Sequence, residues 1–245
     1  MISEATIRAQ LNNVLDSTDF KGIGDREQGK VRDSYKQKGR RILVTTDRIS
    51  AFDCVLGTIP FKGQVLNQLA AFWFEKTQDI VPNHVIEIPD PNLMIVHECE
   101  QLNLEFVVRG YITGVTKTSA WYNYERGVRD FCGNQLPDGL KKDQKLPAPI
   151  LTPTTKHEKH DRNVSRAEAL AEGLIDPKTF DEAAAICFKL YQRGVDLAAK
   201  RGLIFVDTKY ELGKRDGKLV ISDEINTPDS SRYWFADPYE KLFKA

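Results

Sequence analysis

The run Leu203-Ile-Phe-Val-Asp-Thr-Lys-Tyr-Glu-Leu212 constrains this chain more than any other stretch. Four apolar residues lead directly into three charged residues set two apart: Asp207, Lys209 and Glu211. Successive side chains of a strand point to opposite faces, so these three share one face, about 6.6 Å from one to the next. Val206, Thr208 and Tyr210 share the other face. A turn over Gly213 to Gly217 and a second run, Lys218-Leu-Val-Ile-Ser-Asp-Glu224, complete a hairpin. Such a strand leaves a core and lines a cleft or the surface.

Two readings of the charged face stay open at this level. It is an exposed surface whose charges pair across the hairpin, or it is a site for Mg²⁺ and phosphate, since hard cations take carboxylate oxygens. Asp223 and Glu224 on the partner strand, and Asp229-Ser-Ser-Arg232 just beyond, favour the site. Register decides whether the acids can cooperate. A two-residue Asp216-Gly217 turn sets Tyr210 opposite Asp223, away from Glu211. A three-residue Arg215-Asp216-Gly217 loop, with Gly217 left-handed, sets Lys209 opposite Asp223. The longer loop is the expectation, because a shared metal requires a shared face.

The 245 residues suffice for one large domain or two interlocked lobes, and 41% hydrophobic content supports a packed core. The expected division is an N-terminal lobe over 1–105 and a C-terminal lobe over 106–245. Thirty-five basic residues balance thirty-five acidic ones, so net charge exerts no pull toward nucleic acid or an anionic membrane. Anion sites must then come from local clusters, and the expected partners are small molecules. No apolar run approaches the ~20 residues that span a bilayer. The N-terminus lacks the basic start and apolar run of a secretory signal. Cys54, Cys99, Cys132 and Cys187 are widely spaced without a CxxC, as expected for reduced thiols in the cytoplasm.

Along the chain, Ser3 to Leu15 reads as an amphipathic surface helix. Gly22 to Asp33 and Arg41 to Thr46 read as strand, glycine-bearing turn, strand. Gln64 to Gln78 reads as a helix burying Val65, Leu66, Leu69, Phe72 and Trp73. Leu104 to Val108 is a short strand. Gly133 to Asp161, with four prolines, reads as a long irregular excursion, a kind of loop that is often functional. Ser165-Arg-Ala-Glu168 is a capping box. Asp176 caps the next helix, with Pro177 at its first position, running to about Arg201.

Other groups carry weaker signals. Lys30 and Arg32 follow the glycine-bearing turn, and such a loop can lie over phosphates. The Walker pattern is absent, because Val31 stands where Ser or Thr would follow the lysine. The polar run Thr45 to Asp53 suits an Asx-type turn network. Arg109 ends a strand, where it can fork onto a carboxylate or phosphate or form a surface ion pair. His157-Glu-Lys-His160 lacks HExxH spacing and reads as a solvated loop.

Together these stretches resemble the SAICAR synthetases (phosphoribosylaminoimidazole-succinocarboxamide synthases). The matching blocks are Gly29 to Tyr35, Thr46 to Asp53, Glu105 to Gly114, Leu151 to Lys156, Phe205 to Gly213, Asp223-Glu224 and Asp229 to Trp234. The resemblance implies an α+β fold of two lobes, related to ATP-grasp and kinase-like folds, with antiparallel sheets, flanking helices and ATP between the lobes. It implies ATP-dependent joining of L-aspartate to carboxyaminoimidazole ribotide (CAIR), giving SAICAR, ADP and phosphate in purine synthesis.

By the same resemblance, Gly29, Lys30 and Arg32 lie at the ATP phosphates, and Glu211 and Asp223 bind Mg²⁺. Asp207 and Lys209 meet the carboxylate end of the imidazole. Arg109, Ser231 and Arg232 hold the ribotide. Lys156, with ATP, and Asp161, with substrate, belong to the excursion that closes over nucleotide or aspartate. Many relatives carry Ser directly after the glycine of the Arg-x-x-x-Thr-Gly block. Here Val115 stands there, and Ser119 is expected to supply the hydroxyl, with the intervening residues looped out. The rival readings are a small-molecule kinase on a similar scaffold and a non-catalytic nucleotide-binding protein.

Overall fold

The computed structural model describes residues 3–51, 54–156 and 161–244. The His157–His160 segment and the end of the Thr45–Asp53 run, Phe52 and Asp53, lie outside the described residues. The chain forms two compact units. The first comprises residues 1–76 and 83–99, the second 77–82 and 100–245. The division falls at Glu100 rather than after residue 105, because Glu100 opens one unbroken strand that belongs wholly to the second unit.

The first unit runs α1 (Glu4–Gln10), β1 (Asp25–Gln28), β2 (Arg32–Gln37), β3 (Arg40–Thr45), β4 (Arg48–Ala51), β5 (Cys54–Thr58), α2 (Lys62–Lys76), β6 (Val85–Asp90) and β7 (Leu93–His97). Five strands form an antiparallel sheet in the order β1-β2-β3-β7-β6, and β4 pairs with β5. The expected helix from Ser3 to Leu15 stops at Gln10 and buries nothing. Beyond it, the Leu15 backbone is drawn onto Asp47. Helix α2 starts two residues earlier than expected. Its buried face is Leu66, Asn67, Ala70, Trp73 and Phe74, while Val65 and Phe72 are exposed.

The second unit runs β8 (Glu100–Tyr111), α3 (Ala120–Tyr124), β9 (Asp130–Phe131), β10 (Asn134–Gln135), β11 (Lys145–Leu151), β12 (Thr154–Thr155), α4 (Arg166–Ala171), α5 (Pro177–Ala199), β13 (Leu203–Arg215), β14 (Lys218–Ser222), β15 (Ser231–Phe235) and α6 (Ala236–Lys244). Its main sheet has the order β11-β8-β13-β14, with β12 also on β8 and β15 also on β13. Every pairing is antiparallel. The capping box at Ser165 and the Asp176 cap with Pro177 are present as expected.

The stretch from Gly133 onward is not irregular. It carries β10, β11 and β12, and its apolar residues close a small core of Ile112, Ala120, Tyr124, Phe131, Leu136, Leu140 and Leu146. Prolines 147 and 149 sit in β11, which has the β8 sheet on one side only, the position where a missing N–H is tolerated. Helix α5 covers one face of the main sheet. Phe106, Val108, Val206, Thr208, Tyr210 and Leu212 are buried there, with Phe180 of α5 5.7 Å from the Phe106 ring. The other face of β13 is left for charge.

Candidate active site

The strand period places Asp207, Lys209 and Glu211 on the face turned away from α5. Strand β8 runs alongside and sets Arg109 opposite Asp207, Val107 opposite Lys209, and Glu105 opposite Glu211. On the other edge, β15 sets Arg232 opposite Asp207. The result is two charge clusters on one surface.

At one end, Asp207 is held by two arginines. Arg232 donates Nε to Oδ1 and an Nη to Oδ2, both at 2.9 Å. Arg109 donates to Oδ2 at 3.2 Å. Arg109 is buried, and burial pulls its guanidinium below the usual arginine range while Asp207 opposes that fall. Arg109 also donates Nε to Thr152 Oγ1 at 2.8 Å and an Nη to the Thr118 carbonyl at 3.1 Å. It therefore pins the 115–119 loop to the sheet.

At the other end, the Lys209 ammonium reaches Glu105 at 2.9 Å and Glu211 at 2.6 Å. Lys156, from the segment after β12, ion-pairs with the second oxygen of Glu211. The two carboxylates that share Lys209 shift oppositely. Burial raises Glu105, with Lys209 only partly offsetting it and the charges of Glu211 and Asp161 adding to the rise. Burial also works against ionised Glu211, but Lys209 and Lys156 together hold its carboxyl well below the usual range. Among the described residues, no group of three or more His, Cys, Asp or Glu is placed to hold a metal ion.

The hairpin register differs from the expectation. Arg215 pairs with Lys218 and Glu211 with Ser222, so the turn is the two-residue Asp216-Gly217. Both residues are left-handed, with φ of 51° and 74°, the signature of a tight type I′ hairpin. Strand parity would then carry Asp223 to the face opposite Glu211. It does not, because β14 ends at Ser222 and Asp223 itself turns left-handed, at φ 61°. Its carboxylate acts on the Lys209 ammonium, among the groups that raise it. The acids share a neighbour through a backbone turn, and not through the longer loop.

A cavity of about 290 Å³ opens beside the arginine cluster. Arg109, Ser119, Asp207, Lys209, Ser231 and Arg232 all line it. Six of the residues singled out from sequence thus face one space. Ser119 is buried, and its Oγ lies 2.7 Å from Thr116 Oγ1 and accepts the Thr116 N–H at 3.2 Å. It sits directly over Gly114 (φ 93°), where an added Cβ would come within 2.4 Å of Ser119 Oγ. Val115 points outward, 71% exposed. The residues between Gly114 and Ser119 are looped so that the serine, and not the valine, meets the cavity. Ser231 donates its hydroxyl to Thr208 at 2.8 Å.

On the first unit, Gly29 and Lys30 form the turn between β1 and β2, closed by the Gly29 N–H to the Arg32 carbonyl at 2.8 Å. Arg32 opens β2. Sequence reasoning missed what supports this turn. Buried Arg48 donates to the carbonyls of Gly29 and Lys30, both at 3.0 Å, and to Asp33 at 2.8 Å. Asp47 accepts the N–H groups of Leu15 and Gly63. The polar run after Thr45 is thus a buried brace reaching distant backbone, not a local turn network. The available signal was Asp47-Arg48 directly after the apolar run Ile42-Leu43-Val44 of β3.

Fixed guanidinium and ammonium groups around an anion-sized cavity, with no activated nucleophile among them, suit a reaction driven by positioning and charge neutralisation. ATP-dependent carbon–nitrogen ligases are one class of enzyme that works this way. The SAICAR synthetase family model matches residues 25–244, and the chain belongs to that family. It is 52% identical over 224 residues to phosphoribosylaminoimidazole-succinocarboxamide synthase of Legionella pneumophila (strain Paris), covering 91% of this chain and 72% of that protein. The solved SAICAR synthase from Saccharomyces cerevisiae complexed with SAICAR superposes with a TM-score of 0.82 at 35% identity, over 92% of this chain and 81% of that one. A SAICAR synthetase in complex with ADP gives a TM-score of 0.72 at 25% identity, over 90% and 91% of the two chains.

Proposed function

We propose that this chain joins L-aspartate to the carboxylate of CAIR, consuming ATP and releasing SAICAR, ADP and phosphate, with the cavity beside Arg109 and Arg232 as the ribotide site. The observation that carries the placement is the convergence of Arg109, Ser119, Ser231 and Arg232 on one cavity. A ribotide offers a phosphate and a carboxylate. Arg232, 41% exposed, can turn one edge of its guanidinium to an incoming anion while Asp207 holds the other.

A carboxylate resists attack by an amine. Passing the γ-phosphoryl group of ATP to its oxygen gives an acyl phosphate, which the aspartate amine can attack with loss of phosphate. In this reading Lys209 meets the carboxylate of the imidazole, and Asp207 fixes the two guanidinium groups rather than removing a proton. Gly29, Lys30 and Arg32 receive ATP phosphates. Lys156 changes partner from Glu211 to a phosphate oxygen, and Asp161 lies at the aspartate end.

Mg²⁺ takes one or two carboxylates and completes its shell with phosphate oxygens and water. Glu211 and Asp223 fit that donor set, since Glu211 already gathers two ammonium groups and Asp223 acts on one of them. Bound there, the ion would offset phosphate charge. The cytoplasm is the proposed compartment, in keeping with the free thiols of Cys54, Cys132 and Cys187. Among the described residues no helix is long and apolar enough to cross a membrane.

The deciding experiment is a coupled ADP assay with ATP, CAIR and aspartate and with each omitted in turn. ADP release that needs all three supports the ligase. Release without aspartate supports a kinase, and no release under any combination supports a non-catalytic nucleotide binder.

A further inference from the structure

Asp207 faces Arg232 only because β13 carries one extra residue. The β13–β15 ladder pairs Phe205 with Tyr233, then Asp207 with Arg232, leaving Val206 as a bulge. An unbroken ladder would set Val206 opposite Arg232 and Asp207 opposite Ser231. The β13–β8 ladder likewise has Asp207 and Arg109 as its pair nearest the bulge. A bulge leaves backbone carbonyls out of the ladder, and a buried carbonyl without a donor is destabilising. Phe205 and Val206 are both buried.

The donor comes from α5. Tyr191, buried, donates its hydroxyl to the Phe205 carbonyl at 2.8 Å, with the Val206 carbonyl at 3.2 Å. Its ring stacks on Phe205 at 5.3 Å. Burial raises the Tyr191 phenol, which keeps it a donor, and the Gly110 N–H also acts on it. Gly110 follows Arg109 on β8, and a Cβ there would lie 2.1 Å from the Tyr191 hydroxyl. One hydroxyl thus touches the residues flanking both members of the Arg109–Asp207 pair.

We infer that Tyr191 is a positioning residue for the ligation: by capping the Val206 bulge, its hydroxyl sets the register that brings Asp207 between Arg109 and Arg232. It touches no substrate. This rests on the ribotide reading of the cavity, since Arg109 and Arg232 are the groups it places.

Tyr191→Phe keeps the ring stack and removes only the hydroxyl. The expected result is a KM for CAIR raised about tenfold, with the KM for ATP within twofold of wild type. A substrate-free readout accompanies it. In ¹⁵N-edited NMR, the Arg232 Nε–H held by Asp207 should exchange with water at least several-fold faster in Tyr191→Phe than in wild type. Unchanged exchange and unchanged CAIR KM overturn the inference, as does an equal rise in KM for all three substrates. A wild-type chain that makes no SAICAR overturns the functional reading instead, and the exchange rate still decides the role of Tyr191. Gly110→Ala supplies a second variant. It should be more damaging in wild type than in the Tyr191→Phe background, where the clashing oxygen is gone; additive effects would overturn the coupling.

Discussion

Arg232 and Asp207 meet as a two-pronged pair, Nε to Oδ1 and Nη to Oδ2 at 2.9 Å each, from strands that are directly opposed. Asp207 is shared with buried Arg109, so the fork does not neutralise Arg232 alone: one carboxylate stands against two guanidinium groups. The cluster keeps a net positive charge beside the cavity, and that excess is what an anionic ribotide would meet.

Arg232→Ala should therefore weaken ribotide binding about 10- to 100-fold, equivalent to roughly 1.4–2.7 kcal/mol, with ATP affinity changed little. Isothermal calorimetry with each ligand separates the two. Equal losses for CAIR and ATP would count against the ribotide assignment. Arg232→Lys should rescue only part, because an ammonium cannot reproduce the fork.

Glu211→Gln should abolish Mg²⁺-dependent ADP release while the circular dichroism spectrum stays that of wild type. The amide keeps the shape but gives up the charge that faces Lys156 and Lys209. The check is an ADP assay titrated with Mg²⁺, and near-wild-type turnover would refute the metal assignment.

Ser119→Ala removes the hydroxyl that sits over Gly114 and pairs with Thr116. The expected outcome is a rise of about three- to tenfold in the KM for CAIR, in line with ~1 kcal/mol for one hydrogen bond. Val115→Ser, at an exposed position, should not compensate in a Ser119→Ala background. Steady-state kinetics at fixed ATP and aspartate measure both.

Asp33 predicts the acid limit of the first unit. Burial alone would raise its carboxyl. Thr18, through its N–H at 2.6 Å and its hydroxyl at 2.9 Å, and Arg48 together hold it below the usual aspartate range. The folded state then binds fewer protons than the unfolded one, so the stabilisation is complete above the unfolded value and is lost as pH falls through the folded one. Melting temperature should drop as pH is lowered below about 4. Asp33→Asn should be destabilised at pH 7, by about 3–5 kcal/mol because Arg48 is left buried without its charge partner. It should also show a shallower acid slope. Scanning calorimetry from pH 7 to 3 on both proteins tests the sign.

Helices α4 and α5 of the second unit were legible because their signals are local, whereas α3 and α6 were not read from the sequence. A capping box occupies four consecutive residues at Ser165, and Asp176-Pro177 marks a helix start within two. The face of α2 was less legible, since Val65 and Phe72 are as apolar as Leu66 and Trp73 and only packing distinguishes them. The excursion after Gly133 looked irregular because its strands are short and rich in proline, and their apolar residues find partners in Ile112, Ala120 and Tyr124.

By itself the sequence determined that Asp207, Lys209 and Glu211 share a face, because alternation along a strand is a property of the backbone alone. It could not decide what that face meets. The two-residue turn at Asp216-Gly217, the left-handed step at Asp223 and the Val206 bulge are single-residue backbone choices. Each changes which groups meet that face, and the bulge is held by a contact from distant chain, the Tyr191 hydroxyl. Tertiary structure therefore decided which arginines face Asp207, and it brought Lys156 to Glu211 across 55 residues of sequence.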